Sequence, residues 1–247
     1  MQERRLGGLL PKPKMSMNEL ALFAGAGGGL LASELLGWRT ICAVELSEYR
    51  RNVLSARQND RSLPPFPVWD DVRTFDGTAW RGRVDVVSGG FPCQAYSSAT
   101  RGRPTAAELW PHMRRIVHEV APRYVFAENV SAAAIDWAAD DLQAMGYKVR
   151  CVALSARDLG YDHVRKRYWL RAHTDDESQL PCSVDAEMAI VQSLQKSFRA
   201  GASFDPRISD GVADWVERLE ATGDGQIPIV AATAWRLMTT ANPEGDK

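Results

Sequence analysis

Short apolar runs alternate with segments of helical spacing along most of this chain. Residues 19–23 read as a strand, followed by a glycine loop and a helix from about Gly29 to Leu36. Residues 40–45 form a second strand and 48–58 a second helix. The stretch 63–71 is proline-containing and extended, with a short strand near Val68. Strands follow at 84–88, 124–128, 147–154 and 168–172, with helices at 109–120 and 138–145. Near-continuous apolar strands separated by amphipathic helices predict a doubly wound, mostly parallel α/β sheet with helices on both faces. In such a sheet ligands bind beyond the carboxyl ends of the strands. Phe23, Glu45, Asp71, Cys93 and Glu128 all fall at or just after strand ends, so they are expected to converge on one crevice.

Beyond residue 173 the alternation weakens. Asp175, Asp176, Glu177, Asp185 and Glu187 make the next stretch acidic, and 186–198 is its one plausible helix. Residues 211–238 then carry two helical stretches around Gly223-Asp224-Gly225-Gln226-Ile227-Pro228. The expected organisation is an N-terminal extension (1–18), a catalytic and cofactor-binding domain (19–173), a small recognition insertion (174–210) and a segment returning to the catalytic domain (211–247). The extension is basic through Arg4, Arg5, Lys12 and Lys14 but lacks the apolar core of a signal peptide, and Met15 and Met17 are alternative starts.

Composition narrows the picture only a little. With 247 residues, 45% of them hydrophobic and 25% charged, the chain can bury a full core. No apolar run reaches the length of a membrane span, so no membrane partner is expected. The net charge of −1 gives no support to nucleic-acid binding, so any DNA-facing surface must come from local clustering. Cys42, Cys93, Cys151 and Cys182 are widely spaced, without a CxxC pair or a Cys/His cluster. That argues against zinc, and so few cysteines suit a reducing, cytoplasmic compartment.

Candidate chemistry sits at the strand ends. The loop Phe23-Ala24-Gly25-Ala26-Gly27-Gly28 permits a tight turn and close backbone approach to a ligand, although such a turn also serves purely structural roles. Glu45, about twenty residues on, can accept hydrogen bonds from both ribose hydroxyls. No GK[ST] sequence follows the glycines, so a P-loop is excluded. Asp71 can accept from an adenine amino group, or it can simply sit in a solvated turn. Cys93 follows a proline, leaves a strand end and is flanked by Gln94, Ser97 and Ser98. Most cysteines are small buried hydrophobes, but this placement suits a nucleophile. A reactive thiolate needs positive surroundings, for which Arg101, Arg103, Arg165 and Arg167 are candidates. Glu128 directly follows the apolar run Tyr124-Val125-Phe126-Ala127, where a carboxylate is costly without a partner or a task. Raised in pKa, it would donate a proton. Arg165 and Arg167 would share one face of a strand, either as a solvated basic end or as an anion- or base-recognition pair.

In this order and spacing the motifs resemble those of the cytosine-5 DNA methyltransferases, over about residues 19–172 and again from 211 to 238. The glycine loop resembles the family's first motif and Pro92-Cys93-Gln94 its catalytic motif. Glu128-Asn129-Val130 resembles its ENV motif, Arg165-Lys166-Arg167 its RxR motif, and the segment around Asp224 its last cofactor motif. The compact length is similar to that of phage and prophage members. The resemblance implies S-adenosyl-L-methionine as cofactor, double-stranded DNA as substrate and a cognate or host restriction system as a candidate partner. It places the cofactor against Phe23, Ala24, Gly25, Gly27, Gly28, Glu45, Asp71, Val72, Pro92 and Asp224. It implies that Cys93 attacks C6 of a flipped cytosine, Glu128 binds the base at N3 and its amino group, Arg165 contacts the base carbonyl and Arg167 supports the site. A catalytically silent relative that binds DNA or a partner, and an RNA cytosine methyltransferase, are the competing readings.

Several features depart from the family pattern. Ala21 stands where Asp or Ser is usual, His163 where Gln is usual and Asp224 where Asn is usual. The loop after Cys93 is short, and the acidic insertion shows no aromatic-and-basic reading surface. If Asp224 faces the carboxylate of the cofactor, its charge weakens binding. Asp224→Asn is therefore expected to tighten binding of S-adenosylhomocysteine in a calorimetric titration. Unchanged or weaker affinity would mean that Asp224 points elsewhere.

Overall fold

The computed structural model describes residues 16–92, 109–162, 164–174 and 225–239. Within these, seven strands form one sheet: β1 (Asn18–Leu22), β2 (Arg39–Val44), β3 (Val68–Trp69), β4 (Val86–Gly90), β5 (Tyr124–Asn129), β6 (Lys148–Leu154) and β7 (Arg167–His173). Their spatial order is β3-β2-β1-β4-β5-β7-β6. The first five strands are mutually parallel, while β7 pairs antiparallel with both β5 and β6. The expected doubly wound, mostly parallel sheet is thus present, with β7 as its reversed strand. The reversal brings the start of β7 to the edge where β1 to β5 end, because Asn129 pairs with Tyr168. The chain runs outward in both directions from β1 and β4, and the switch point between them opens the crevice.

Helices α1 (Gly28–Leu36), α2 (Glu48–Asn59), α3 (Trp110–Val120), α4 (Ala132–Ala144) and α5 (Pro228–Thr239) cover the sheet. On one face Met113, Ile116 and Val117 of α3 and Ile135, Ala138 and Leu142 of α4 pack with Leu20, Leu22, Val87 and Val125. On the other, Ala32 and Leu36 of α1 join Ile229, Val230, Trp235 and Met238 of α5 over Val86, Tyr124, Phe126 and Trp169. A smaller cluster seats Leu30 of α1 and Leu54 of α2 on Ala21 and Ala43. Burying one such large apolar side chain stabilises by about 1.5–3 kcal/mol, so both helical layers contribute substantially.

Several boundaries have local causes. Helix α1 ends at Gly37, which is left-handed (φ 75°), with its N–H donating to the Glu34 carbonyl and the Trp38 N–H to that of Ser33. This is the glycine-terminated C-cap that residues with a Cβ adopt reluctantly. Helix α4 starts at Ala132, ahead of the expected start at Ala138. Ser131 caps it by accepting from the Ala134 N–H at 3.4 Å, and three alanines then propagate the helix. Strand β4 runs two residues later than expected and ends on Gly89 and Gly90. A Cβ on Gly89 would stand 2.7 Å from the Leu22 carbonyl oxygen, so glycine is required where sequence propensity argues against a strand. The expected helix at 186–198 and the stretch before Gly225 lie outside the described residues, as does the expected insertion beyond Thr174.

Helix α5 is fixed by two arginines as well as by apolar packing. Arg171, only 1% exposed, stacks its guanidinium on the rings of Tyr124 (5.0 Å) and Trp235 (4.8 Å). Its Nη1 donates to the Met238 carbonyl at 3.3 Å, and Arg150 reaches the same oxygen at 3.5 Å. Cations at the C-terminal carbonyls of a helix are favourably placed.

A buried carboxylate lies beneath α1. Glu19 is 1% exposed and accepts from the hydroxyls of Ser33 (2.7 Å), Thr40 (2.7 Å) and Ser88 (2.5 Å). Desolvation raises its pKa, and the three hydroxyl hydrogen bonds offset this only in part. The folded chain therefore holds the Glu19 proton more tightly than the unfolded chain. Stability falls as pH rises from the ordinary value of 4.5 through the raised folded value. Each pH unit of that displacement is worth about 1.4 kcal/mol. Glu19→Gln is expected to flatten the decline of the urea midpoint with pH and to match or exceed the wild type at pH 7. A wild-type-minus-variant difference that stays constant with pH would refute this.

Candidate active site

The glycine turn is shaped by its backbone. Phe23, just after β1, is left-handed (φ 54°), a conformation uncommon outside glycine, and Gly25 (φ 57°) and Gly27 (φ 94°) follow it. The Ala24 N–H donates to the Val44 carbonyl at 3.0 Å and extends the β1–β2 ladder into the turn. Gly25 is then held by Glu45, whose Oε2 accepts the Gly25 N–H at 2.7 Å. Glu45 Oε1 accepts the Ser47 N–H at 2.9 Å. Each carboxylate oxygen keeps further lone-pair capacity, although Glu45 is only 6% exposed. Beside it Leu46 is 60% exposed.

Asp71 and Val72 lie just past β3. The Asp71 carboxylate accepts from the Arg73 backbone N–H at 2.9 Å and from the Arg73 guanidinium at 2.7–3.0 Å. Arg73 holds its carboxyl below the usual range. Val72 is buried, and its carbonyl accepts from Arg115 Nη2 at 2.9 Å. Arg115 also reaches the Phe75 carbonyl and Glu119, so α3 grips this turn.

Glu128 occupies the penultimate position of β5, paired with Gly90 and Trp169 and 6% exposed. Arg167 Nε stands 2.9 Å from Glu128 Oε1. The contact is an ion pair at a largely buried position. On the other side Gln226 Nε2 donates to Glu128 Oε2 at 3.4 Å. Arg165 precedes β7 rather than sharing one of its faces with Arg167 as expected. Its Nη2 donates to the Gly225 carbonyl at 2.8 Å. The two arginines nevertheless meet neighbouring parts of one cluster.

Asn129 anchors the approach to Cys93. Its Nδ2 donates to the Phe91 carbonyl at 2.8 Å and its Oδ1 accepts the Ser131 N–H at 2.9 Å. Pro92 is exposed. Cys93 and Asp224, expected as nucleophile and cofactor-site residue, lie outside the described residues, as do Arg101, Arg103 and His163. The structure thus brings Phe23, Ala24, Gly25, Gly27, Gly28, Glu45, Asp71, Val72, Pro92, Glu128, Arg165 and Arg167 to one edge of the sheet.

Three participants lie within or beside the motif segments but are given no role of their own by the sequence: Asn129, Gly90 and Gln226. A Cβ on Gly90 would stand 2.6 Å from Glu128 Oε2, so the carboxylate would have to shift. Gln226 passes so close to α1 that a Cβ on Gly28 would stand 2.2 Å from its carbonyl oxygen. The consecutive glycines hint at such an approach without saying what approaches. Among the described residues no group of three or more His, Cys, Asp or Glu could hold a metal ion. Cys42 and Cys151 are free thiols, and burial pushes Cys42 up to about 11. No described helix is long and apolar enough to cross a membrane.

The sheet order with its reversed β7, and the acid, glycine turn and arginines gathered at its switch point, define an α/β fold of methyltransferase type. Solved structures share it. The fold matches Dnmt2 methyltransferase of S. pombe with a TM-score of 0.56 at 15% identity, covering 78% of this chain and 58% of that one. It matches a protein described as a DNA modification methyltransferase encoded within an E. coli prophage with a TM-score of 0.52 at 26% identity, covering 64% of this chain and 47% of that one. The family model for C-5 cytosine-specific DNA methylase matches residues 17–217, and the chain belongs to that family. Among curated relatives, type II methyltransferase M.PspPI of Psychrobacter sp. (strain TA137) is 34% identical over 128 residues, 50% of this chain and 29% of the relative. Type II methyltransferase M1.HphI of Haemophilus parahaemolyticus is 30% identical over 170 residues, 62% of this chain and 45% of the relative. The chain spans less than half the length of either.

Gly28→Ala separates close packing from helix propensity. Alanine at the first position of a helix is otherwise favourable, by up to about 1 kcal/mol. Here its Cβ would meet backbone, so the variant is expected to lose about 2 kcal/mol or more in urea unfolding. A neutral or stabilised variant would show that Gln226 does not sit against α1.

Proposed function

We propose that the protein transfers a methyl group from S-adenosyl-L-methionine to C5 of cytosine in double-stranded DNA. The observation that carries this reading is the pinned Glu128 at the parallel-strand edge, between Arg167 and the anchored approach to Cys93. Family membership supplies its context.

The residues fit the cofactor. Glu45 retains acceptor capacity for ribose hydroxyls after fixing Gly25, and the exposed Leu46 beside it offers an apolar surface to a base. Gly25 faces open space, with nothing within 4 Å of where its Cβ would stand. The Asp71 carboxylate is shared with Arg73, so the adenine edge in this reading rests on Asp71 and the backbone of Val72 together. Phe23, Ala24, Gly27, Gly28, Pro92 and Asp224 complete the proposed cofactor wall. The bound cofactor supplies an electrophilic methyl group.

Cytosine C5 is too weak a nucleophile to take that methyl group unaided. The base is first flipped out of the duplex. The Cys93 thiolate attacks C6, and Glu128 binds N3 and the exocyclic amino group and favours protonation at N3. C5 then has enamine character and takes the methyl group. Loss of the C5 proton and departure of the Cys93 thiolate restore the ring. Arg165 contacts the base carbonyl, and Arg167 holds Glu128 in place.

Duplex DNA of mixed sequence carrying 5-fluorocytosine tests the reading, because fluorine cannot leave as a cation and the intermediate persists. With S-adenosylmethionine present, the wild type is expected to form a denaturant-resistant adduct and Cys93→Ala none. An adduct in both would move the nucleophile elsewhere. No adduct, with cofactor binding confirmed by calorimetry, would favour a silent DNA- or partner-binding relative. Adducts on fluorinated tRNA alone would make RNA the substrate.

A further inference from the structure

We infer that Gln226 is a positioning residue for Glu128, linking the first turn of α1 to the carboxylate that is proposed to bind the target base. The inference rests on the methyltransferase reading of Glu128.

Gln226 fills a slot lined by glycines from separate segments. Its carbonyl oxygen would be 2.2 Å from a Cβ on Gly28, and its Oε1 2.7 Å from a Cβ on Gly29. Its Nε2 would be 3.1 Å from a Cβ on Gly90 and lies 3.4 Å from Glu128 Oε2. The backbone is fixed on both sides. Arg165 holds the Gly225 carbonyl at 2.8 Å, and the Ile227 carbonyl accepts the Ala231 N–H at 3.0 Å at the start of α5. The side chain therefore has a defined origin.

The orientation of the amide follows from chemistry. An ionised carboxylate only accepts, so the nitrogen faces Glu128 and the oxygen faces α1. The first turn of a helix carries backbone N–H groups without intrahelical partners and a partial positive charge, which suits that oxygen. Glu128 is then held at both oxygens, by Arg167 at 2.9 Å on Oε1 and by Gln226 on Oε2. Arg167 brings the compensating charge. A neutral amide adds direction without a second positive charge, leaving the carboxylate able to accept from the base. The cofactor turn and the base-binding acid are thereby joined through one side chain.

Gln226→Met keeps the length and removes the amide, and Gln226→Glu keeps the shape and sets a like charge against Glu128. Both are compared with the wild type and Glu128→Gln in four measurements. These are kcat and KM on mixed-sequence duplex DNA, S-adenosylhomocysteine affinity by calorimetry, melting temperature, and the carboxyl 13C titration of Glu128. The titration uses glutamate-labelled protein with the resonance assigned by its loss in Glu128→Gln, and needs no turnover. Among the described residues, Arg167 on Glu128 and Arg165 on the Gly225 carbonyl are the charged groups at this cluster and stay unchanged. Gln226→Met is expected to lower kcat about tenfold, the effect of losing one hydrogen bond to a charged group. KM, analogue affinity and melting temperature should stay within about twofold or a few degrees. The Glu128 titration should move up, since a donor to its charged form is gone. Gln226→Glu should lower kcat further. Wild-type kcat and an unmoved titration in both variants would overturn the inference. So would a loss of rate that only tracks lost analogue affinity or lost melting temperature. Wild-type turnover by Glu128→Gln would overturn the reading of Glu128 itself, and the inference with it.

Discussion

The return of residues 225–239 to the sheet is the constraint on which the rest depends. Helix α5 covers Tyr124, Phe126 and Trp169, and eight of its residues are buried. That apolar burial, with Arg171 stacked between Tyr124 and Trp235, fixes the helix far from any reacting atom. Its first turn then sets where Gly225 and Gln226 must pass. Gln226 lies against Gly28 and Gly29 of α1 and against Gly90 at the end of β4. Energy gained in the core thus determines geometry at the strand edge: a Cβ at Gly28 would meet the Gln226 backbone, whereas one at Gly29 or Gly90 would displace the ends of the Gln226 and Glu128 side chains.

Three carboxylates of this sheet show how partner type decides what an acid can do. Glu19 receives only hydroxyls and is sealed from solvent, so its charge is disfavoured and its role is to tie β1, β2, β4 and α1 together. Glu45 receives backbone N–H groups, which fix the glycine turn while leaving lone pairs over. Glu128 has a guanidinium on one oxygen and an amide on the other. Among these three, it is the arrangement with an arginine that meets the desolvation cost of a charged group at a buried position. The sequence places all three at the same kind of site, in or just after an apolar strand; their environments separate them.

Much of this architecture is legible in the sequence. Apolar runs locate all seven strands, and the glycine turn with Glu45 locates the crevice, because those signals are local and periodic. The direction of β7 is not legible, since alternation reports which face a residue takes and not which way its strand runs. The early start of α4 is written in Ser131 and three alanines, a cap that the preceding Asn129-Val130 masks. Glycines at the end of β4 argue against a strand by propensity, whereas tertiary approach of the Leu22 carbonyl requires them. The contact of Gln226 with Glu128 spans 98 positions, beyond any spacing rule. Asp71 shows the reverse: its partner Arg73 is two residues away, and the local turn claims a carboxylate that the motif assigns to a ligand.

The end of β4 follows the same logic of fixed ends. Phe91 is held on one side by Asn129, through its carbonyl, and on the other by Trp110, whose ring centroid lies 5.2 Å from its own. Trp110 is in turn fixed to α4 by its Nε1 hydrogen bond to Asp141 at 2.8 Å. Gly90, one residue before Phe91, is paired with Glu128 in the sheet, so the anchored end of β4 and the acid on β5 are set by adjacent strands. Two ends held by neighbouring strands keep their spacing through backbone hydrogen bonds, independent of any side chain placed there.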